Sequence, residues 1–199
     1  MNDAERIYYD RRAAEYDNWY HGAGLYADRV RPGWHAERDS LIAWIRALPP
    51  QSTLDVACGT AFLTRHLSGR VTALDQSRGM LRIARERLPG KCLLQGDALQ
   101  LPFRPQAFAC LMAAHFYGHL DPPARARFLA EARRVAGRLL VIDAALRDDV
   151  QPEEWQERVL QDGSRHTVYK RYFSPAQLVA ELGGGQVLQA GRWFVAVLA

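Results

Sequence analysis

Five groups of residues have the types and spacing to do chemistry. Asp55 lies inside a short apolar run, Thr53-Leu54-Asp55-Val56-Ala57, that breaks at Cys58-Gly59-Thr60 and resumes at Phe62, Leu63 and Leu67. This reads as a buried strand, a tight turn and an amphipathic helix over 61–68. Gly59 has no Cβ, so the turn can bring bare backbone N–H groups against a ligand. The helix would aim the positive end of its dipole at the same place. Asp75 closes the next apolar run, about 20 residues on, where a ribose diol is usually gripped. A carboxylate accepting from both hydroxyls is a charge-assisted, two-pronged contact; the plainer alternative is an acid at a strand end beside the helix cap Ser77. His115, Tyr117 and His119 follow the fourth apolar run, at the strand ends that form the ligand crevice of an open α/β sheet. A histidine titrating near neutrality could take a proton from a phenol, hydroxyl or amine. Equally, one could line a pocket and the other cap the next helix. His166 and Tyr169 lie in a late polar-aromatic segment and could face the same crevice from the other side.

Repeated strand-helix alternation has to position these groups. Strand-like runs occupy 53–57, 70–74, 91–95, 107–113 and 138–143, with helical stretches at 61–68, 77–88 and 122–136 between them. That order implies an α/β fold, a parallel sheet covered on both faces. Upstream, aromatic and apolar residues from Asp3 to Tyr20 suggest a helix, and His21-Gly22-Ala23-Gly24 a flexible joint. A helix from Trp34 to Leu48 ends at Pro49-Pro50, which cannot continue it. Downstream, 148–161 reads as an extra helix. Ser174-Pro175 is a helix start, with Ser as cap and Pro in the first turn. The runs 186–190 and 192–198 read as two closing strands.

Bulk composition excludes several classes. A chain of 199 residues, 48% hydrophobic and 24% charged, is one ordinary globular domain. The formal charge is only +4 and nearly all the cations are arginines. Pairs such as Arg11-Arg12 and Arg133-Arg134 read as solvated helix faces, so no nucleic acid is expected. Cys58, Cys92 and Cys110 have no metal-ligand spacing and suit a reduced cytoplasmic thiol set; no metal is expected. No apolar run approaches the length of a membrane span. Asp121-Pro122-Pro123-Ala124 is similar to the signature of methyltransferases acting on DNA bases or glutamine. Its late position and its alanine make Asp as helix cap, with prolines in the first turn, the simpler reading.

Three stretches together resemble the class I S-adenosylmethionine-dependent methyltransferases: Asp55 to Ala61, Leu74 to Leu81, and Gln95 to Phe103. Within that class the chain most resembles the small-molecule branch that includes the ubiquinone and menaquinone methyltransferases (type 11). The resemblance runs from about Tyr8 to the C-terminus. It implies a Rossmann-like sheet of seven mostly parallel strands, helices on both faces, an antiparallel C-terminal hairpin and an N-terminal helical cover. It implies one domain over 1–199: cover 1–48, cofactor core 51–147, an acceptor-side insertion 148–173, and a final helix and hairpin 174–199. The implied cofactor is S-adenosyl-L-methionine, released as S-adenosyl-L-homocysteine. Asp55, Ala57, Cys58, Gly59, Thr60, Asp75, Gln76, Met80, Gly96, Asp97, Ala98, Ala114 and the cover residue Tyr16 would contact it, Asp97 on the adenine side unless it is only a turn aspartate. For Tyr16, a catalytic role and simple packing are both open.

A small-molecule acceptor would meet His115 and His119 as catalytic candidates and Tyr117, His166 and Tyr169 as substrate contacts. Trp19, Tyr20, Trp34, Trp155, Tyr169 and Tyr172 flank the expected mouth and suit a flat or apolar molecule. The family usually has a second glycine where this chain has Ala61, whose methyl would narrow the room beside the methionyl tail. An NAD-dependent oxidoreductase is a weaker alternative, because the loop lacks the spaced glycines that admit a pyrophosphate. A protein that keeps the fold and the cofactor without turnover is the other.

Overall fold

The computed structural model describes residues 3–199; residues 1–2, at the start of the expected cover, lie outside it. The cover is not one helix. It breaks into α1 (Asp3–Arg12), a 3-10 turn at Ala13–Glu15, and α2 (Asn18–His21), which Gly22 ends in the left-handed conformation. After a second 3-10 turn, α3 (Trp34–Ala47) buries Trp34, Leu41 and Ile45, seven and then four residues apart on one face. Pro49 and Pro50 then hand the chain to the sheet.

The strands follow in order as β1 (Gln51–Val56), β2 (Gly69–Asp75), β3 (Cys92–Gln95), β4 (Cys110–Ala114) and β5 (Leu139–Ala144). Between them lie α4 (Arg78–Arg87) after β2 and α5 (Pro122–Val135) after β4. Beyond β5 come β6 (Glu153–Val159), β7 (Arg165–Arg171), α6 (Pro175–Glu181), β8 (Gln186–Ala190) and β9 (Phe194–Leu198). The main sheet has seven strands in the order β3-β2-β1-β4-β5-β9-β8; β9 runs antiparallel to both β5 and β8. Strand residues alternate between its faces. Leu54, Val56, Leu111, Ala113, Val141 and Val197 pack on the α5–α6 side. Met112, Leu140, Ile142 and Phe194 pack with Trp34 and Leu41 on the other. Both faces are dry, which is why these strands read as continuous apolar runs.

Two sequence expectations fail here. No α-helix follows the Cys58-Gly59-Thr60 turn; Thr64–His66 is a single 3-10 turn before β2 begins at Gly69. Phe62, Leu63 and Leu67 are buried as core plugs, and no long helix dipole points at the loop. The expected helix over 148–161 is instead β6, paired antiparallel with β7 from Glu153↔Arg171 to Val159↔Arg165. Its Glu-Glu-Trp-Gln-Glu-Arg composition favours a helix locally, but β7 offers β-branched and aromatic cross-strand partners. Asp162-Gly163, with Gly163 at φ 80°, turns the chain between them. The helix start at Ser174 is present as a full capping box with Gln177. Among the described residues no helix is long and apolar enough to cross a membrane.

Candidate functional site

The crevice lies where β1 and β2 end. Asp75, 7% exposed, accepts through Oδ2 from the Gly59 N–H at 2.8 Å and through Oδ1 from the Ser77 N–H at 2.8 Å. A carboxylate has about four lone-pair directions, so capacity remains for a diol. Burial pushes its pKa up to about 6 against the pull of these backbone bonds. On the other side of the loop, Asp55 is buried and accepts from the Thr64 hydroxyl through Oδ2 at 2.5 Å. Its Oδ1 is buried with no partner, and burial raises its pKa to about 7. Ala57 and Ala61 hold left-handed backbone at φ 56° and 62°, a conformation that costs about 1–2 kcal/mol without glycine. The Ala61 side chain packs with Cys58, Ala73 and Leu81 in the core under α4. It does not narrow the crevice, contrary to the sequence expectation.

The cover is tied down at two points. Asp10 accepts from the Ser77 hydroxyl at 2.6 Å and the Gly79 N–H at 2.9 Å. A Cβ on Gly79 would stand 2.8 Å from the Asp10 carbonyl, so only glycine lets α1 lie this close to α4. Asp17 accepts from the Thr60 hydroxyl at 2.6 Å and pairs with Arg87 at 2.5 Å. Between these ties the Tyr16 ring covers Gly59. Two small cavities remain beneath. One, of about 30 Å³, is lined by Ala57, Gly59, Asp75, Gln76, Met80 and Tyr16, among others. The other, of about 10 Å³, lies against Asp55, Cys58, Ala114 and Tyr16.

Beyond Tyr16 opens a larger chamber of about 140 Å³. Tyr9, Tyr16 and His115 line both it and the Asp75 cavity, so they form the shared wall. His115, 9% exposed, sits at φ 54° just past β4, and its backbone N–H donates to Ile142 at 2.7 Å. Its Nε2 is buried without a partner. Burial first, then the Lys170 charge, lowers its pKa to about 4, Asp143 opposing. His119 also lines the chamber and falls to about 3, for the same two reasons. Its Nδ1 lies 2.8 Å from the Tyr169 carbonyl. A carbonyl only accepts, so Nδ1 carries the proton and Nε2 is the basic nitrogen.

The remaining candidates scatter. Tyr117, expected as a substrate contact, is buried and donates to Glu181 at 2.9 Å; facing α6, it does not line the chamber. His166 lies against Tyr8 and Ser164, and Tyr169 with Trp155 borders a separate hollow; neither lines the chamber. Asp97 is exposed and accepts from the Leu99 N–H at 2.9 Å, a local turn contact. Gly96 donates to the Asp75 carbonyl, and Ala98 joins the core. Of the expected mouth aromatics, Trp19, Trp34 and Tyr172 line the chamber. Tyr20 stacks on Phe62 below it, and Trp155 is 67% exposed. Sequence reading missed the cations of the chamber wall, to which Arg12 belongs rather than to a solvated face. Asp121, in contrast, caps α5 through Ala124 as expected.

Sheet order, loop and acid-tipped second strand together are those of the class I S-adenosylmethionine-dependent methyltransferase fold. Residues 53–137, a little under half of the chain, match the family described as Methyltransferase domain. Among curated proteins it is 31% identical over 137 residues to the 2-phytyl-1,4-naphtoquinone methyltransferase of Thermosynechococcus vestitus, covering 64% of this chain and 61% of that one. It is 34% identical over 114 residues to the demethylmenaquinone methyltransferase of Thermotoga maritima, covering 53% and 49%. The chain thus spans only about half to three-fifths of these curated relatives. A solved complex of DhpI with SAM and HEP superposes with a TM-score of 0.77 at 26% identity, covering 99% of this chain and 96% of that one.

Proposed function

We propose that this chain transfers the methyl group of S-adenosylmethionine to a small-molecule acceptor held in the chamber, releasing S-adenosylhomocysteine. The wall shared by crevice and chamber carries the reading: Tyr9, Tyr16 and His115 face both spaces. When bound, the cofactor supplies an electrophilic methyl on sulfur, with a neutral thioether as leaving group. The donor set fits it. Asp75 has acceptor capacity for the ribose diol, and the unpartnered Oδ1 of Asp55 for the methionyl ammonium. Met80 and Gln76 line the adenosyl side. Cavities of about 30 and 10 Å³ are far below the hundreds of Å³ of an ordinary ligand pocket. Tyr16 and the cover therefore have to lift for entry and then exclude water on closing.

The low pKa values of His115 and His119, against the expected titration near neutrality, keep both rings neutral at pH 7; each can accept a hydrogen bond that orients the acceptor, but as a base each is weak. The solved DhpI complex with SAM and HEP, and the quinone methyltransferases among the relatives, support a small-molecule acceptor. Calorimetric titration of the full chain with S-adenosylhomocysteine and separately with NAD tests the reading. We expect binding of the first alone, weakened by about 1–3 kcal/mol in Asp75→Ala. His115→Ala should retain that affinity and lose turnover in a labelled-methyl assay. NAD binding in place of S-adenosylhomocysteine, or unchanged affinity in Asp75→Ala, would overturn it.

A further inference from the structure

The chamber wall carries Arg12, Arg29, Arg31, Arg147, Arg158 and Lys170, and not one carboxylate. Two of these cations are matched from outside: Arg147 by Asp149 at 2.9 Å and Lys170 by Asp143 at 2.6 Å. The other four have no carboxylate partner among the described residues. Arg12 donates to the phenols of Tyr8 and Tyr26, and Arg31 to the Trp19 carbonyl at 3.1 Å. Arg158 donates to the Gln156 amide oxygen and keeps a buried Nε without a partner. Like charges gathered on one wall repel; burial and then the Arg29 charge hold Arg31 below the usual guanidinium range. An arrangement of that kind is stabilised by an anion placed among them.

The aromatic residues set the posture of these cations. Arg31 lies 3.8 Å over the Trp34 ring, Arg147 4.5 Å over Trp193, Arg29 4.8 Å over Tyr26 and Arg12 4.9 Å over Tyr16. Stacking engages the flat face of a guanidinium and leaves its N–H edge, the part that forks onto an oxyanion. The same walls offer ring faces to a flat organic body. A chamber of about 140 Å³ compares with the ~150 Å³ cavity that accepts benzene, so the body is a single ring or smaller.

The geometry points to an acceptor that is a small organic oxyanion, a phosphate- or carboxylate-bearing molecule whose charged head is forked by Arg12, Arg29, Arg31 and Arg158. A neutral quinol would leave these four cations facing each other across an apolar guest. An acceptor of this class deepens the methyltransferase reading and rests on it. Lys170, tied to the buried Asp143, anchors the floor, and Arg147 closes one edge through Trp193.

The test is calorimetry on the full chain saturated with S-adenosylhomocysteine, using three probes that share one ring: phenyl phosphate, benzoate and phenol. Phenyl phosphate or benzoate should bind at least about tenfold more tightly than phenol, the scale of one charge-assisted contact. The stronger of the two identifies the head as phosphate or carboxylate. Added salt should weaken the anion and leave phenol unmoved. Arg31→Gln and Arg158→Gln should each lower the affinity of the preferred anion at least about fivefold, with phenol and S-adenosylhomocysteine unaffected. Phenol binding as tightly as either anion, or both Gln variants keeping full anion affinity, overturns the proposal. If S-adenosylhomocysteine itself does not bind, the cofactor reading fails by that first titration. The anion series on the cofactor-free chain then decides the present point separately.

Discussion

Cofactor affinity should fall steeply in mild acid, because the two carboxylates that would receive the cofactor titrate near neutrality. Burial raises Asp75 to about 6 and Asp55 to about 7. Around Asp75 stand the Gly59, Gln76 and Ser77 backbone amides, Asp10, Tyr16 and Cys58, and around Asp55 stand Thr64, Asp75, Cys58 and Tyr20. Raised pKa values give a definite sign. In the free protein these groups favour the fold in acid, and that contribution is lost as pH rises through about 6 and about 7.

Cofactor binding runs the opposite way, since ribose hydroxyls and an ammonium need the ionised carboxylates. Between about pH 7 and about pH 5, a carboxyl of pKa 6 falls from about nine-tenths ionised to about one-tenth. That is a loss of about tenfold, or about 1.4 kcal/mol. Asp55, starting half-ionised at its higher pKa, loses more than tenfold over the same interval. The assay is calorimetry with S-adenosylhomocysteine at several pH values in buffers of different ionisation enthalpy, which also counts the protons released. Asp75→Asn should remove about one decade of the pH dependence and bind more weakly at pH 7. An affinity that stays level from pH 7 to pH 5, or an unchanged slope in Asp75→Asn, refutes the argument.

Two perturbations elsewhere follow from the same contacts. Asp10→Ala removes the bonds to Ser77 and Gly79 and should cost about 1–3 kcal/mol. It should also speed both proteolysis within residues 13–33 and association of S-adenosylhomocysteine; unchanged rates would mean that the cover does not gate entry. Lys170→Met strands the fully buried Asp143, which burial would neutralise but Lys170 holds ionised. Urea unfolding at pH 7 should show a loss of about 3–5 kcal/mol, and a loss below about 1 kcal/mol would show that other partners suffice.

The alternation of apolar runs and amphipathic stretches determined the class of fold and most of the strand positions. The central strands β1, β4 and β5 are dry on both faces over most of their length, unlike the edge strand β3, and that burial is written locally in the residue types. Asp75 and the loop at Gly59 were legible because an acid closing an apolar run marks a strand tip, and a glycine marks a turn that needs left-handed backbone. Local composition misled at 61–68 and 148–161. In the first, Phe62 and Leu67 answer to the core and β2 follows too soon for a helix. In the second, a strand made of helix-forming residues is fixed by its partner β7, although Asp162-Gly163 was a turn signal in plain view.

What only the tertiary structure decided is the convergence of charge. Arg12, Arg29, Arg31, Arg147, Arg158 and Lys170 come from the cover, the segment after β5 and the β6–β7 hairpin, spread over most of the chain. Net charge and spacing report totals and neighbours along the chain, whereas electrostatic potential depends on distances through space. A sequence can therefore name the crevice that one loop and one strand tip build between them. It cannot show that distant cations share one wall, or that Tyr117, beside His115 in sequence, faces α6 instead.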